Sequence, residues 1–346
     1  MIGKMKAAAL ALLMATGLGM SGQALAKTAV PTEAPYVRPD VQAYLDNLAK
    51  NPRPAMSDAL IKTIRKIPPA VMAQMMATGD APMPKLATDR SLTMPGPGGT
   101  IDLRLFDPRA ERGAGPVLVF YHGGGFVVGT IGTHASLAAE MARQLDLPVV
   151  SVEYRLAPEA KWPAAPDDAE AAARWIANGA ALGREITGLI LSGDSAGGTL
   201  TLTTALALRD RPAAVPVILQ IPIYPMADAS KPYPSIAQFS GKYGLSRPDM
   251  AYYGKAYAPN IKSPRHSALL ADLAGLPPTL LVTASLDPLR DGGRAFVAKL
   301  AQSGVPVSFY EAKGTVHGFA TFRRGIPSAQ GDLDKIMAIA RAMLTK

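Results

Sequence analysis

The 346-residue sequence contains no cysteine and only four histidines. Without cysteine the chain forms no disulfide bond and has no thiolate to act as a nucleophile or metal ligand. A lipid-anchored mature form, which needs a cysteine at the cleavage point, is excluded as well. The scarcity of histidine limits the candidates for a general base to four positions: His122, His134, His266 and His317.

The chain also lacks a long basic run, although its formal net charge is +9. Lysine and arginine are scattered, and no basic run is longer than Arg323-Arg324. A nucleic-acid-binding surface needs a concentrated basic patch or stripe. The excess charge therefore indicates a solvated basic surface, and we expect no nucleic-acid partner.

The first residues have the pattern of an export signal. Lys4 and Lys6 precede an apolar stretch, and Ala24-Leu25-Ala26 supplies the small residues that a signal peptidase accepts. An uncleaved membrane anchor is the alternative, but the stretch is shorter than the roughly 18 residues of a membrane span. We expect residues 1–26 to be cleaved on export to a periplasm or the extracellular space. The mature chain then carries a net charge of +7 and has no stable membrane insertion.

Apolar runs alternate with helical patterns after about residue 92. Runs typical of strands lie at 117–121, 149–154, 186–192, 215–221, 279–283 and 305–310. Helical periodicity covers residues 135–145, 164–178, 196–209, 292–302 and 332–344. The alternation predicts an α/β fold over residues 91–346, with a mostly parallel central sheet and helices on both faces.

Two segments do not follow this alternation. Residues 27–90 are rich in Pro and Met, with apolar spacing that suits short helices. Residues 226–265 are rich in Pro and Tyr, and Ser246 is a candidate helix N-cap. An insertion after a strand of such a sheet lies over the carboxyl ends of the strands, where open α/β proteins bind ligands. We therefore expect both segments to form a helical lid.

The segment LILSGDSAGGTL, residues 189–200, places the pattern Gly-x-Ser-x-Gly between a predicted strand and a predicted helix. Glycines on both sides of Ser195 permit a strained turn that lifts the serine hydroxyl above the sheet. The helix that follows points its positive N-terminus at the same place. This context makes Ser195 the candidate nucleophile.

A serine hydroxyl becomes nucleophilic when a base removes its proton, and an acid orients that base. In this architecture the chain order is nucleophile, acid, histidine. His317 lies in a turn just after the strand at 305–310, so we expect it, and not His266, to be the base. We expect His266 and His134 to be structural or surface residues. Asp287, in the loop after the strand at 279–283, is the expected acid, and Asp291 is expected to be structural or to cap a helix.

Three successive glycines follow His122, directly after the strand at 117–121. A loop of this kind supplies backbone amides to an oxyanion, and one such donor is worth about 2.7–4 kcal/mol of transition-state stabilisation. Side chains would prevent so close an approach. We expect the amides of Gly124, Gly125 and Ala196 to form the oxyanion hole, while His122 braces the loop.

These motifs resemble those of the hormone-sensitive-lipase-like esterases, the bacterial family IV serine esterases of the α/β-hydrolase superfamily. The resemblance covers about residues 115–320 and includes five motifs in order: HGGGF at 122–126, YRLAPE at 154–159, GDSAGG at 193–198, GLPPTLLVTASLDPLRDGG at 275–293 and HGF at 317–319. It is weak in the N-terminal segment. Within YRLAPE we expect a structural turn that supports the oxyanion loop, with Glu159 paired to Lys161.

The resemblance implies an α/β-hydrolase fold with a helical lid, and hydrolysis of short- to medium-chain carboxylic esters through an acyl-serine intermediate. It implies a small-molecule ester as the partner and no metal or cofactor. An amidase or peptidase, or a lipase for long chains, could use the same triad. A non-catalytic small-molecule binder is a further alternative, because plant gibberellin receptors resemble this family, but those receptors lack the triad histidine that His317 supplies here. The oligomeric state does not follow from the sequence.

Overall fold

A single eight-stranded sheet organises the computed structural model, which describes residues 34–77, 79–179 and 182–345. The predicted export signal, residues 1–26, lies outside the described residues. The strands are β1 (Thr88–Gly96), β2 (Gly99–Asp107), β3 (Gly115–Tyr121), β4 (Val149–Val152), β5 (Ile186–Asp194), β6 (Val217–Ile223), β7 (Thr279–Leu286) and β8 (Val307–Val316). Their spatial order is β1-β2-β4-β3-β5-β6-β7-β8.

Six of the strands, β3 to β8, pair in parallel and correspond to the six predicted runs. The edge hairpin of β1 and β2, which is antiparallel and pairs with β4, was not predicted. In β2 the buried Ile101, Leu103 and Leu105 alternate with more exposed residues. Such alternation is typical of a strand with one wet face, whereas continuous apolar runs mark strands that are buried on both faces. The sheet is therefore mostly parallel, with an antiparallel edge.

Ten α-helices occur in the described part of the chain. They are α1 (Pro39–Lys50), α2 (Asp58–Ile64), α3 (Pro69–Ala77), α4 (Ala135–Leu145), α5 (Ala164–Ala177), α6 (Ala196–Asp210), α7 (Pro234–Phe239), α8 (Arg247–Tyr257), α9 (Arg290–Gln302) and α10 (Ser328–Leu344). Helices α5, α6 and α9 cover one face of the sheet, and α4 and α10 cover the other. Along β3, Val117, Val119 and Tyr121 pack with the first group, and Leu118 and Phe120 with the second. Both faces are thus buried, as the sequence predicts.

The two segments outside the alternation contain short helices that contact each other. In the insertion, α8 starts at the N-cap Ser246, whose hydroxyl accepts a hydrogen bond from the backbone amide of Asp249. The Asp249 carboxylate accepts a hydrogen bond from the Met56 amide at 3.1 Å, and the Tyr252 hydroxyl donates to Asp58 at 2.9 Å. These bonds join the N-terminal segment to the insertion. No helix in the described ranges has the length and apolarity needed to cross a membrane.

Helix α6 passes so close to β3 that its second residue has no room for a side chain. A Cβ atom at Gly197 would lie 1.8 Å from the carbonyl oxygen of Tyr121 and 2.8 Å from that of His122. In contrast, a Cβ atom at Gly254 in α8 would meet nothing within 4 Å. Gly197 is therefore required by the packing of α6 against β3, whereas the surroundings of Gly254 leave room for a side chain.

We expect Gly197→Ala to lower the free energy of unfolding by about 3 kcal/mol, because the added methyl group forces α6 away from β3. Gly254→Ala is the matched control and should raise the free energy of unfolding by about 1 kcal/mol through helix propensity. Urea denaturation followed by circular dichroism measures both changes. Equal effects of the two substitutions would contradict this account of Gly197.

Candidate active site

Ser195 occupies the sharp turn between β5 and α6. Its backbone has φ 53° and ψ −114°, which a residue with a side chain rarely adopts. A Cβ atom on Gly193 would lie 2.5 Å from backbone atoms of Gly197, so glycine is needed there for the chain to turn this tightly. The Ser195 amide donates to the Ile223 carbonyl at 2.9 Å, which fixes the turn to β6.

The structure brings Ser195, His317 and Asp287 together. His317 Nε2 lies 2.8 Å from Ser195 Oγ, and His317 Nδ1 lies 2.7 Å from Asp287 Oδ2. Asp287 directly follows β7 and His317 directly follows β8, so all three residues stand at the carboxyl ends of parallel strands. The Asp287 carboxylate is fully buried, and it also accepts a hydrogen bond from the Leu289 amide at 2.8 Å.

The glycine loop after β3 has a conformation that requires glycine at two positions. Gly124 has φ 120° and Gly125 has φ 62°. A Cβ atom on Gly124 would lie 2.0 Å from the Val128 carbonyl oxygen, and one on Gly125 would lie 2.6 Å from the ring of Tyr253. Three backbone amides of this site form no hydrogen bond within the described residues: those of Gly124, Gly125 and Ala196. These three amides are therefore available to a ligand.

Hydrogen bonds to its first residues, His122 and Gly123, hold the glycine loop in place. The Tyr154 hydroxyl donates to the His122 carbonyl at 2.7 Å, and the Tyr154 ring stacks on the His122 ring. His122 Nδ1 lies 2.8 Å from the Gly123 carbonyl oxygen. Burial, together with the nearby His134, lowers the pKa of His122 to about 3. His122 is therefore neutral at ordinary pH and supports the loop.

Asp194, the residue before Ser195, is a part of the site that sequence reasoning missed. Its buried carboxylate accepts a hydrogen bond from the Gly123 amide at 2.8 Å and lies 3.4 Å from His134 Nε2. Burial alone would lower the pKa of His134, but the charge of Asp194 outweighs it, so the pKa is raised. Burial likewise opposes ionisation of Asp194, yet the charge of His134 leaves the pKa of Asp194 lowered. The Gly-x-Ser-x-Gly pattern leaves this position unspecified, and the GDSAGG motif that includes Asp194 does not indicate that His134 is its partner.

Two other residues considered in the sequence, Asp291 and His266, lie outside the hydrogen-bonded series of Ser195, His317 and Asp287. Asp291 accepts a hydrogen bond from the Ser235 amide at the start of α7 and pairs with Arg290. His266 is buried beside the rings of Phe126 and Tyr257.

The expected ion pair between Glu159 and Lys161 is wrong. Glu159 pairs with Arg65 of the N-terminal segment, at 3.0 Å. The Arg65 guanidinium also donates to the Val127 carbonyl at 2.7 Å and to the Ala157 carbonyl at 3.0 Å. The partner of Glu159 is therefore set by the packing of the segment at 27–90 and not by proximity along the chain.

Two cavities meet at Ser195. The larger has a volume of about 990 Å³ and the smaller about 480 Å³. Gly125, Leu245 and Tyr253 also line both. The larger cavity is lined by His317 and by residues of the N-terminal segment, which the motifs did not indicate: Tyr44, Arg53, Met56, Ile64, Ile67 and Met72. The smaller one is lined by residues of the glycine loop, α6 and the insertion, among them Phe126, Ala196, Thr199, Met226, Met250 and His266.

Comparisons with known proteins agree with this architecture. The profile of a family described as having the alpha/beta hydrolase fold matches residues 118–321. The esterase LipI of Mycobacterium tuberculosis is 33% identical over 317 residues, which are 87% of this chain and 98% of that protein. The ethyl acetate hydrolase of Pseudomonas putida is 35% identical over 76% of this chain and 84% of its own length. A hyperthermophilic esterase from the archaeon Pyrobaculum calidifontis superimposes with a TM-score of 0.78 and 34% identity, covering 90% of this chain and 100% of its own.

The ion pair beneath the glycine loop predicts a pH dependence of stability. Because the pKa of His134 is raised in the folded protein, its stabilising effect is complete below the unfolded pKa of about 6.5 and is lost as pH rises through the folded value. We therefore expect the stability advantage of the wild type over His134→Gln to shrink as pH rises above about 6.5.

Urea denaturation of both proteins across this pH range measures the difference. Glu153, whose pKa burial raises to about 7, titrates in both proteins, so subtraction largely removes its contribution. A difference that stays constant with pH would show that the pKa of His134 is not raised in the folded protein.

Proposed function

We propose that this chain uses a serine nucleophile and prefers esters with short- to medium-chain acyl groups. The chain belongs to the hormone-sensitive-lipase-like carboxylesterases of the α/β-hydrolase fold. The observation that carries the proposal is the hydrogen-bonded series from Asp287 through His317 to Ser195 at the junction of two cavities. A carboxylate, an imidazole and a hydroxyl in this order are the groups that acyl transfer requires.

In the first half of the proposed reaction, His317 Nε2 takes the Ser195 proton while Oγ attacks the ester carbonyl carbon. Asp287 holds the imidazole through Nδ1 and stabilises the imidazolium that forms. The carbonyl oxygen becomes an oxyanion, and we assign the free amides of Gly124, Gly125 and Ala196 as its donors. When the tetrahedral intermediate collapses, the carbon–oxygen bond to the alcohol breaks and His317 protonates the departing alcohol.

In the second half, His317 takes a proton from water, and the resulting hydroxide attacks the acyl-serine. Collapse of this second tetrahedral intermediate breaks the bond to Ser195 Oγ, which recovers its proton from His317. The carboxylic acid product then leaves. The same residues therefore serve both steps.

The position of His317 supports an assignment of the two cavities. Because the imidazolium protonates the leaving oxygen, the alcohol lies on the side of Ser195 where His317 stands, which is the larger cavity. The assigned oxyanion donors lie between the two cavities: Ala196 lines the smaller, Gly124 the larger and Gly125 both. We assign the larger cavity to the alcohol and the smaller one, of about 480 Å³, to the acyl group. A space of this size suits short and medium acyl chains.

We expect initial rates on p-nitrophenyl esters from acetate to palmitate to peak at short or medium chains, because the acyl cavity limits chain length. Ser195→Ala should lower kcat by about 10⁶-fold, as loss of a catalytic serine does elsewhere. Circular dichroism of the variant provides the folding control. Full activity of the variant would exclude Ser195 as the nucleophile, and a maximum at palmitate would exclude the acyl assignment.

A pair of aspartates four residues apart tests the identity of the acid. Asp287→Asn should lower kcat by about 10⁴-fold, because the amide stabilises the wrong histidine tautomer. Asp291→Asn is the matched control and should leave kcat nearly unchanged while lowering the free energy of unfolding by about 1 kcal/mol, since Asp291 caps α7. Greater loss of activity in Asp291→Asn than in Asp287→Asn would reverse the assignment.

We also propose that the protein is exported, and the support is the pattern of residues 1–26 alone. N-terminal sequencing of the protein recovered from its native host should then begin at Lys27. An uncleaved N-terminus would argue for an anchor or for retention in the cytoplasm.

A further inference from the structure

His266 is a buried histidine that the proposed mechanism does not use. It is only 4% exposed, lines the smaller cavity, and packs beside the rings of Phe126 and Tyr257 at centroid distances of 6.0 and 5.7 Å. Its backbone amide donates to the Ser263 carbonyl at 2.9 Å. The main chain is therefore fixed, and the imidazole forms part of the wall of the cavity that we assign to the acyl group.

The imidazole of His266 has unused hydrogen-bonding capacity. Neither ring nitrogen forms a hydrogen bond within the described residues. The nitrogens are not sealed by protein atoms, in contrast to the enclosed hydroxyl of Tyr257, which has no hydrogen-bond partner in the described part of the chain. A buried polar group without a protein partner costs free energy unless water or a ligand satisfies it. The cavity is the place from which such a partner can come.

Burial lowers the pKa of His266 to about 4, so the ring is neutral at ordinary pH. A neutral imidazole offers one N–H donor and one acceptor nitrogen, and it carries no charge that would attract a carboxylate.

Two other polar groups of the same wall are already occupied. The Thr199 hydroxyl donates to the Met226 carbonyl at 3.0 Å. The Asp228 carboxylate accepts from the Ser230 amide and the Tyr233 hydroxyl. Lys231, also on this wall, stands over the ring of Tyr233. His266 therefore differs from Thr199, Asp228 and Lys231 in being buried, neutral and, among the described residues, without a hydrogen-bond partner.

We propose that His266 is a specificity-determining residue that binds a hydroxyl or carbonyl oxygen carried by the acyl chain of the ester. The inference rests on the proposed function and narrows it, since the preferred acyl groups are oxygenated and not plain alkanoyl chains. A ketone or hydroxyl oxygen accepts the imidazole N–H, and a hydroxyl can also donate to the acceptor nitrogen. The rest of the chain contacts apolar walls such as those formed by Met226 and Met250.

The test compares matched ethyl esters by pH-stat titration. Ethyl 4-oxopentanoate is paired with ethyl pentanoate, and ethyl 6-oxoheptanoate with ethyl heptanoate, with each rate divided by the rate of hydroxide-catalysed hydrolysis. In one pair or both, the wild type should favour the oxo ester in kcat/KM by about fivefold, the usual effect of one neutral hydrogen bond. His266→Leu should reduce this ratio to about 1. His266→Gln, which retains an N–H donor, should restore part of it.

Met250→Leu is the control for a change in cavity shape, and it should alter the rates of both esters of a pair alike. An unchanged ratio in His266→Leu would overturn the proposal, and so would a wild-type ratio at or below 1 in both pairs. If His266→Leu does not fold, the kcat/KM ratios of the wild type and of His266→Gln still test the proposal. If the wild type hydrolyses the plain esters but shows no preference for the oxo esters, only the proposed role of His266 is refuted. If it hydrolyses no ester at all, the proposed function itself is refuted.

Discussion

The strained backbone at Ser195 is the constraint on which the site depends. A non-glycine residue at φ 53° and ψ −114° costs of the order of 1–3 kcal/mol and persists only where the surroundings hold it. Here β5 and α6 are buried on both sides of the turn, and the Ser195 amide is bonded to β6. Gly193 and Gly197 allow the close approach of strand and helix. Packing of the core therefore holds the serine hydroxyl above the sheet.

The same turn also positions the glycine loop. Ser195 faces the two cavities, and Asp194, its neighbour, reaches the Gly123 amide and His134. Ser195 and the loop that carries two of the assigned oxyanion donors are thus fixed by adjacent residues of one turn. Tyr154 supports the loop from a third direction through the His122 carbonyl. A shift of α6 relative to β3 would move Ser195 and the loop together.

The side chains that we assign to the reaction follow strands of the sheet, whereas the shape of the cavities depends on the segments packed above the sheet. Arg65 of the N-terminal segment donates hydrogen bonds to the carbonyls of Val127, just after the glycine loop, and of Ala157. Tyr252 of the insertion bonds to Asp58, 194 residues earlier in the chain. Because each wall combines distant parts of the chain, variation in these segments can change the substrate without altering the residues that we assign to the reaction.

The sequence alone predicts the parallel strands, the order of the motifs and the residues that meet at Ser195. Strands buried on both faces need continuous apolar runs, and acyl transfer needs particular side chains at the carboxyl ends of those strands. The pairing of the groups around them depends instead on the three-dimensional packing of the chain. Glu159 binds Arg65 and not the nearby Lys161, and Asp194 meets His134. The burial of His266 without a hydrogen-bond partner among residues 34–77, 79–179 and 182–345 also depends on the fold. Such contacts join residues far apart in the chain, and they follow from how loops and helices pack, which no local periodicity or motif encodes.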